Sequence, residues 1–250
     1  MPVIFPFGEG ETDKIVFEFL VDKWFQSYSF RNFVSVGGKS HFNNKISETV
    51  EGDLSAGRDE VRILVFRDLD NGEKIEDIVR SFQNIVWRLL TCWELKPDAE
   101  PLIEDTIYRW EAPANTDFAG LRFVLHIANI DIPVTLQNQT TDGYILKVAL
   151  TEQVLNRFAR ETKVKSSYEV LFDLIIDRIP YVVNEKGISF DEDKDYLSAY
   201  LTATRFWVVK HTEEKARLVK IILDRALKYD KEGFNRVFKS WRIAIEEVIR

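Results

Sequence analysis

The chain has 250 residues, 45% of them hydrophobic and 30% charged, enough to bury a sizeable core as one large domain or as one domain with an extension. The formal charge of −7 argues against nucleic-acid binding by bulk electrostatics, and a single cysteine, Cys92, excludes intrachain disulfides and thiolate metal clusters. No apolar run reaches the roughly 18 residues a membrane span needs. The opening Met1-Pro2-Val3-Ile4-Phe5 lacks a basic segment and reads as a strand, not a signal peptide, so the expected location is cytoplasmic with no membrane partner. Charge is unevenly spread. Residues 201–250 hold 12 Lys and Arg against 7 Asp and Glu, a net of +5, leaving −12 for the first 200.

In chain order, residues 3–7 form a short apolar run that ends in Gly8-Glu9-Gly10, and a helical pattern opens at Thr12, the expected N-cap. That is how a buried strand enters a tight turn and a helix in an α/β unit. Residues 33–36 predict a second strand, stopped by Gly37-Gly38, with a helix over 39–50 and a surface loop over 51–58. Val61 to Phe66 is β-branched, apolar and short, the strongest strand signal in the chain, and it runs into Arg67-Asp68-Leu69-Asp70-Asn71-Gly72. A helix over 74–91 follows, then strands over 106–110 and 121–127. Residues 132–136 suggest an edge piece, because Pro133 cannot donate to a central ladder. Residues 137–143 read as a polar loop. Beyond 145 the pattern turns helical, over 148–160, 167–178, 191–209, 212–229 and 231–249, interrupted at 182–190. The alternation predicts an α/β class with a parallel sheet and helical crossovers over 1–145, followed by a helical extension over 146–250 packed on it.

The acids fall at positions that matter in such a fold. Open α/β sheets bind ligands at the carboxyl ends of their strands, where Glu9 and Asp13 stand after the first strand and Asp68 and Asp70 after the third. Residues i and i+2 of an extended chain share a face, so Asp68 and Asp70 can point into one space. Crowded carboxylates repel unless a cation lies between them, and hard oxygen donors suit Mg²⁺ or Mn²⁺. Taken alone, each pair is also explained as an acidic strand end or a helix cap.

An apolar strand ending in Glu-Gly-x-x-Asp, then Val36-Gly37-Gly38-Lys39, then an apolar strand ending in Asp-x-Asp resembles the Toprim domain of topoisomerases, primases and OLD-type nucleases. The Glu9-to-Asp13 form looks most like OLD-type and stand-alone Toprim proteins of phage defence. The resemblance spans residues 3–92. It implies metal-dependent phosphodiester hydrolysis of DNA or RNA, with Glu9 as metal ligand and acid/base, and Asp13, Asp68 and Asp70 as metal ligands. It also implies Gly37, Gly38 and Lys39 at the phosphate, and Lys194, within Asp193-Lys194-Asp195, as a late active-site lysine. A separate ATPase partner and a homodimer are further expectations.

One position departs from the pattern. Leu146, after Asp142-Gly143, stands where related proteins carry a second-metal glutamate, leaving Asp142 or Glu152 to substitute, or a catalytically weak regulatory protein. An aspartyl-phosphate role for Asp68 or Asp70 is the third alternative. His41, His126 and His211 show no ligand spacing, and His126 in an apolar strand reads as core. No P-loop motif occurs.

Overall fold

A computed structural model describes residues 3–56, 60–103, 106–115, 118, 120–132, 139–204 and 215–250. It is an α/β protein with a six-stranded, mostly parallel sheet and a helical second half. Two compact units divide the chain: residues 1–129 with 240–250, and residues 130–239.

The sheet unit follows the strand–helix alternation. Strand β1 (Val3–Gly8) leads into helix α1 (Glu11–Trp24), β2 (Val34–Ser35) into a 3₁₀ turn (Lys39–His41) and α2 (Phe42–Ala56), and β3 (Val61–Arg67) into α3 (Ile75–Leu89). Then come β4 (Glu100–Ile103), β5 (Ile107–Ala112) and β6 (Leu121–Ile127), giving the order β2-β1-β3-β6-β5-β4. The first four in that order are parallel, and β5 and β4 continue the sheet antiparallel. The β4 strand has no clear sequence signal; Pro101 confines it to an edge, where a missing N–H costs nothing.

Every residue of β3 is buried, because helices cover both faces of the sheet. Phe7, Ile63, Val65 and Phe123 face α2 and α3, meeting Phe42, Ile46, Phe82 and Val86 in one core. On the other face, the Phe66 ring meets Phe17 of α1 at 5.9 Å and stacks on Trp241 at 3.9 Å. Trp241 belongs to α11 (Lys239–Ile249), which the sequence expectation grouped with the extension but whose residues from Ser240 onward belong to the sheet unit. Several polar contacts hold α11 there, among them those of two arginines on the strands. Arg62 donates to the Val248 carbonyl at 3.0 Å, and Arg109 pairs with the buried Glu247.

Two further expectations are corrected. The N-cap of α1 is Gly10, not Thr12, because Asp13 at the third helical position accepts the Gly10 N–H at 3.0 Å. Helix α2 runs to Ala56, through the stretch read as a loop from 51 onward.

The regular elements of the second unit, among its described residues, are helices. The unit holds α4 (Thr141–Ala149), α5 (Glu152–Glu161), α6 (Tyr168–Asp173), α7 (Ile179–Glu185), α8 (Asp193–Ala203), α9 (Lys215–Tyr229) and α10 (Lys231–Val237). Helix α4 starts inside the expected polar loop, because Thr140 caps it by accepting the Asp142 N–H. A π turn (Leu174–Arg178) links α6 to α7 just before Pro180, whose ring cannot donate to the helical ladder. The suggested edge piece at 132–136 and His211 lie outside the described residues, except that Ile132 is buried. Among the described residues, no helix is long and apolar enough to cross a membrane.

Candidate functional site

The parallel pairing of β1 with β3 places Gly8 opposite Phe66, so the residues that follow, Glu9 and Arg67, leave the sheet edge side by side. Glu9 turns onto the neighbouring strand end, where its Oε1 accepts the Asp68 N–H at 3.1 Å and pairs with Arg67. The turn is tight because Gly8 lacks a side chain. A Cβ there would lie 2.6 Å from the Phe33 ring and 2.7 Å from the Asp13 Cβ. Asp13, 3% exposed, is committed beneath this turn to the Gly10 N–H.

Strand β2 brings the third arm. The Val36 N–H donates to the Gly8 carbonyl at 2.9 Å and the Gly37 N–H to the Glu9 carbonyl at 3.1 Å, so the β2 turn is docked on the β1 turn. Gly37 and Gly38 have φ of +75° and +123°, conformations that favour glycine, and they swing Lys39 back over the sheet edge. Its ammonium reaches Asp70 Oδ2 at 2.8 Å and Glu73 Oε1 at 2.9 Å. These partners raise the Lys39 pKa.

Arg67 and Glu73 complete the cluster, and sequence reasoning missed both. The guanidinium of Arg67, with its side chain 4% exposed, spans Glu9 and both oxygens of Glu73, at 2.7 and 2.9 Å on the Glu73 side. Glu73 also accepts the Asp70 N–H at 3.1 Å, fixing the Asp70-Asn71-Gly72-Glu73 turn. A charged residue closing an otherwise apolar strand, and an acid three residues after Asp70, were the available signals. Burial pushes the Glu9 pKa up; Arg67 and the Asp68 N–H pull it down, and nearby Asp70 raises it further.

Glu9, Asp68 and Asp70 thus follow the ends of adjacent strands, Glu9 held to the Asp68 backbone and Lys39 lying on Asp70, while Asp13 supports the turn from below. As the side chains stand, Arg67 and Lys39 occupy the spaces between the carboxylates, and no three His, Cys, Asp or Glu among the described residues form a ready cage. The donor set nevertheless fits a hard divalent cation: all are carboxylate oxygens, and Glu9 Oε2 and Asp70 Oδ1 carry none of the contacts just described. Lys39 is a half-exposed, flexible side chain able to yield its place; buried Arg67 is not.

The remaining candidates lie in the second unit. Lys194 opens α8, mostly exposed, with its ammonium paired to Glu192. Leu146 is fully buried in α4, Asp142 is buried in its first turn, and Glu152 is exposed at the start of α5. Beside Asp142 stands a carboxylate not singled out from sequence, Asp193, 2% exposed. It accepts the N–H groups of Thr140 and Gly143 at 3.0 Å and of Lys194 at 2.9 Å, and the Thr140 hydroxyl. Gly143 allows this approach, since a Cβ would lie 3.2 Å from Asp193 Oδ2 and 2.9 Å from Ile130. Burial raises the Asp193 pKa, the Thr140 hydroxyl opposes it, and Asp142 reinforces it.

His126 is buried, its Nε2 3.0 Å from the Ser240 hydroxyl, as a core histidine. His41 Nδ1 lies 3.2 Å from the Val36 carbonyl, and Cys92 is exposed. No family model, curated protein or solved structure matches the chain.

Proposed function

We propose that the chain is a Mg²⁺- or Mn²⁺-dependent nuclease of the Toprim type, cleaving phosphodiester bonds of DNA or RNA. The observation that carries this reading is the placement of Glu9, Asp68 and Asp70 just past the ends of adjacent parallel strands, with Lys39 delivered onto Asp70 by Gly37-Gly38. Glu9, Asp68 and Asp70 would hold the metal, with Asp13 buttressing the Glu9 turn. When bound, a divalent cation stabilises charge on the phosphate and acidifies a water nucleophile.

Lys39, on leaving Asp70 and Glu73, supplies a mobile positive charge to a phosphate oxygen. Arg67 keeps Glu9 oriented through its pairing, and the raised pKa of Glu9 suits a group that holds or passes a proton at its carboxylate. Lys194 is a second candidate for the phosphate. The setting in phage defence, an ATPase partner and a homodimer belong to the same proposal.

The test is incubation of purified protein with Mg²⁺ or Mn²⁺ and plasmid, single-stranded DNA or tRNA. Cleavage that is lost in Asp68→Ala is the expected result. No cleavage of any substrate, together with Mn²⁺ binding unchanged in Asp68→Ala, would sink it.

One observation favours a second reading, a catalytically weak regulatory protein that works with a separate ATPase. Buried Arg67 already neutralises Glu9 and Glu73. Mn²⁺ binding by calorimetry without cleavage, plus a stable ATPase in pull-down, would support that alternative.

A further inference from the structure

A cleft of about 670 Å³ opens beside the carboxylate cluster, between the Lys39–His41 turn with the start of α2 on one side and α3 on the other. Buried Phe42, Ile78, Phe82 and Ile85 make its apolar floor, and Lys39, Arg67 and Glu73 close the end nearest the site. From Lys74 to Arg88 the α3 side spans 15 residues, a row of about 21 Å at helical rise.

The polar groups along this row are uncommitted. The side chains of Ser40, Lys74, Ser81, Asn84 and Arg88 have no hydrogen-bond or ion-pair partner among the described residues. Asn43 Oδ1 is buried with no donor, an arrangement that costs about 1–3 kcal/mol unless something supplies one. Two acids line the cleft, and both are accounted for: Glu73 is bound by Arg67 and Lys39, and Asp77 by Arg80 at 3.5 Å. What remains open is a cation at each end of the row, neutral donors between them and one buried acceptor.

We infer that this cleft is the groove that holds a single-stranded nucleic acid leading into the carboxylate site, with Lys74 and Arg88 on backbone phosphates and Asn43 facing a base edge. The volume lies within the range of ligand clefts, and its length exceeds what one phosphate needs. An amino group on a base would satisfy Asn43 Oδ1, whereas a phosphate would not. The inference rests on the nuclease reading for its substrate class, but it concerns strand binding and requires neither metal nor turnover.

The experiment therefore measures binding in EDTA. Fluorescence anisotropy follows a labelled single strand of about eight nucleotides, a length within the range of single-strand grooves. The proteins are wild type, the double variant Lys74→Glu/Arg88→Glu, and Lys23→Glu on α1, across the sheet from the cleft. The expected result is binding by wild type and Lys23→Glu, and at least tenfold weaker binding by the double variant. Its salt slope should also fall by about 1.4, the share of two phosphate contacts on a single strand. Both substitutions are on exposed side chains, and unchanged circular dichroism melts would confirm the fold. Equal binding by wild type and the double variant, no binding by wild type, or equal affinity for a mononucleotide or a duplex of the same length would each overturn the groove. Loss of Mn²⁺ binding in Asp68→Ala is scored separately, so the metal site and the groove can fail independently.

Discussion

Glu9 is the residue whose environment says most about the site. It is half-buried at a strand end, and desolvation outweighs its contacts with Arg67 and the Asp68 N–H, so its pKa lies above the ordinary 4.5. A raised carboxyl pKa means the folded state binds the proton more tightly than the unfolded chain does. The associated stability is present below pH 4.5 and is lost as pH rises through the folded value. Glu9→Gln should then be more stable than wild type at pH 7, with the difference vanishing at pH 4, as urea unfolding at the two pH values would show. Lys39 is the counterpart: a half-exposed ammonium between Asp70 and Glu73 competes with any divalent cation for the same oxygens. Under the proposed function, Lys39→Ala should bind Mn²⁺ roughly two- to fivefold more tightly by calorimetry, the worth of an exposed ion pair, while losing cleavage. Weaker Mn²⁺ binding would show that Lys39 supports the ligands instead. At this scale the placement of Glu9, Asp68 and Asp70 at strand ends was legible in the sequence, because strand ends advertise themselves. Arg67 and Glu73 were not, because an arginine beside an acid has no fixed partner until the chain has folded.

Among the elements, α11 completes the cover that α1 begins on the second face of the sheet. Trp241 is 1% exposed and stacks on Phe66, and Arg62 and Arg109 anchor the same helix through the Val248 carbonyl and Glu247. Trp241→Ala should lower stability by about 3–5 kcal/mol, the range for emptying a large core site, measured as a shift in urea midpoint without a change in slope. A change below 1 kcal/mol would mean that α11 is peripheral. The helix itself was readable from its apolar spacing; its place on the sheet was not, because an amphipathic helix pattern names a buried stripe but not the surface that buries it. The boundaries of α2 and α4 were missed for a related reason. Polar residues such as those at 51–56 and 139–143 read as loop, yet a helix on the surface tolerates them once its apolar side is packed and its start is capped.

For the molecule as a whole, the clearest predicted response is to acid. His126 is entirely buried among Phe66, Trp241 and the Ser240 hydroxyl, and burial pushes its pKa from 6.5 down to about 3. The unfolded chain therefore takes up a proton that the folded chain refuses, and stability falls as pH drops from about 6.5 toward 3. The full effect is roughly 5 kcal/mol at most, from 1.36 kcal/mol per pKa unit. Urea midpoints at pH 7, 5.5 and 4 should fall steeply in wild type and more shallowly in His126→Asn. Parallel pH profiles in the two proteins would assign the acid sensitivity to the carboxylates instead.

The α/β class, the parallel strands and the acidic strand ends could all be read before folding, because they depend on local periodicity and on residues a few positions apart. The cleft along α3, the buried Arg67 bridge, the Asp193 cluster and the return of α11 to the sheet depend on which distant segments meet. Those meetings are fixed by packing and by charges seeking partners across the chain. No spacing rule along the sequence contains them.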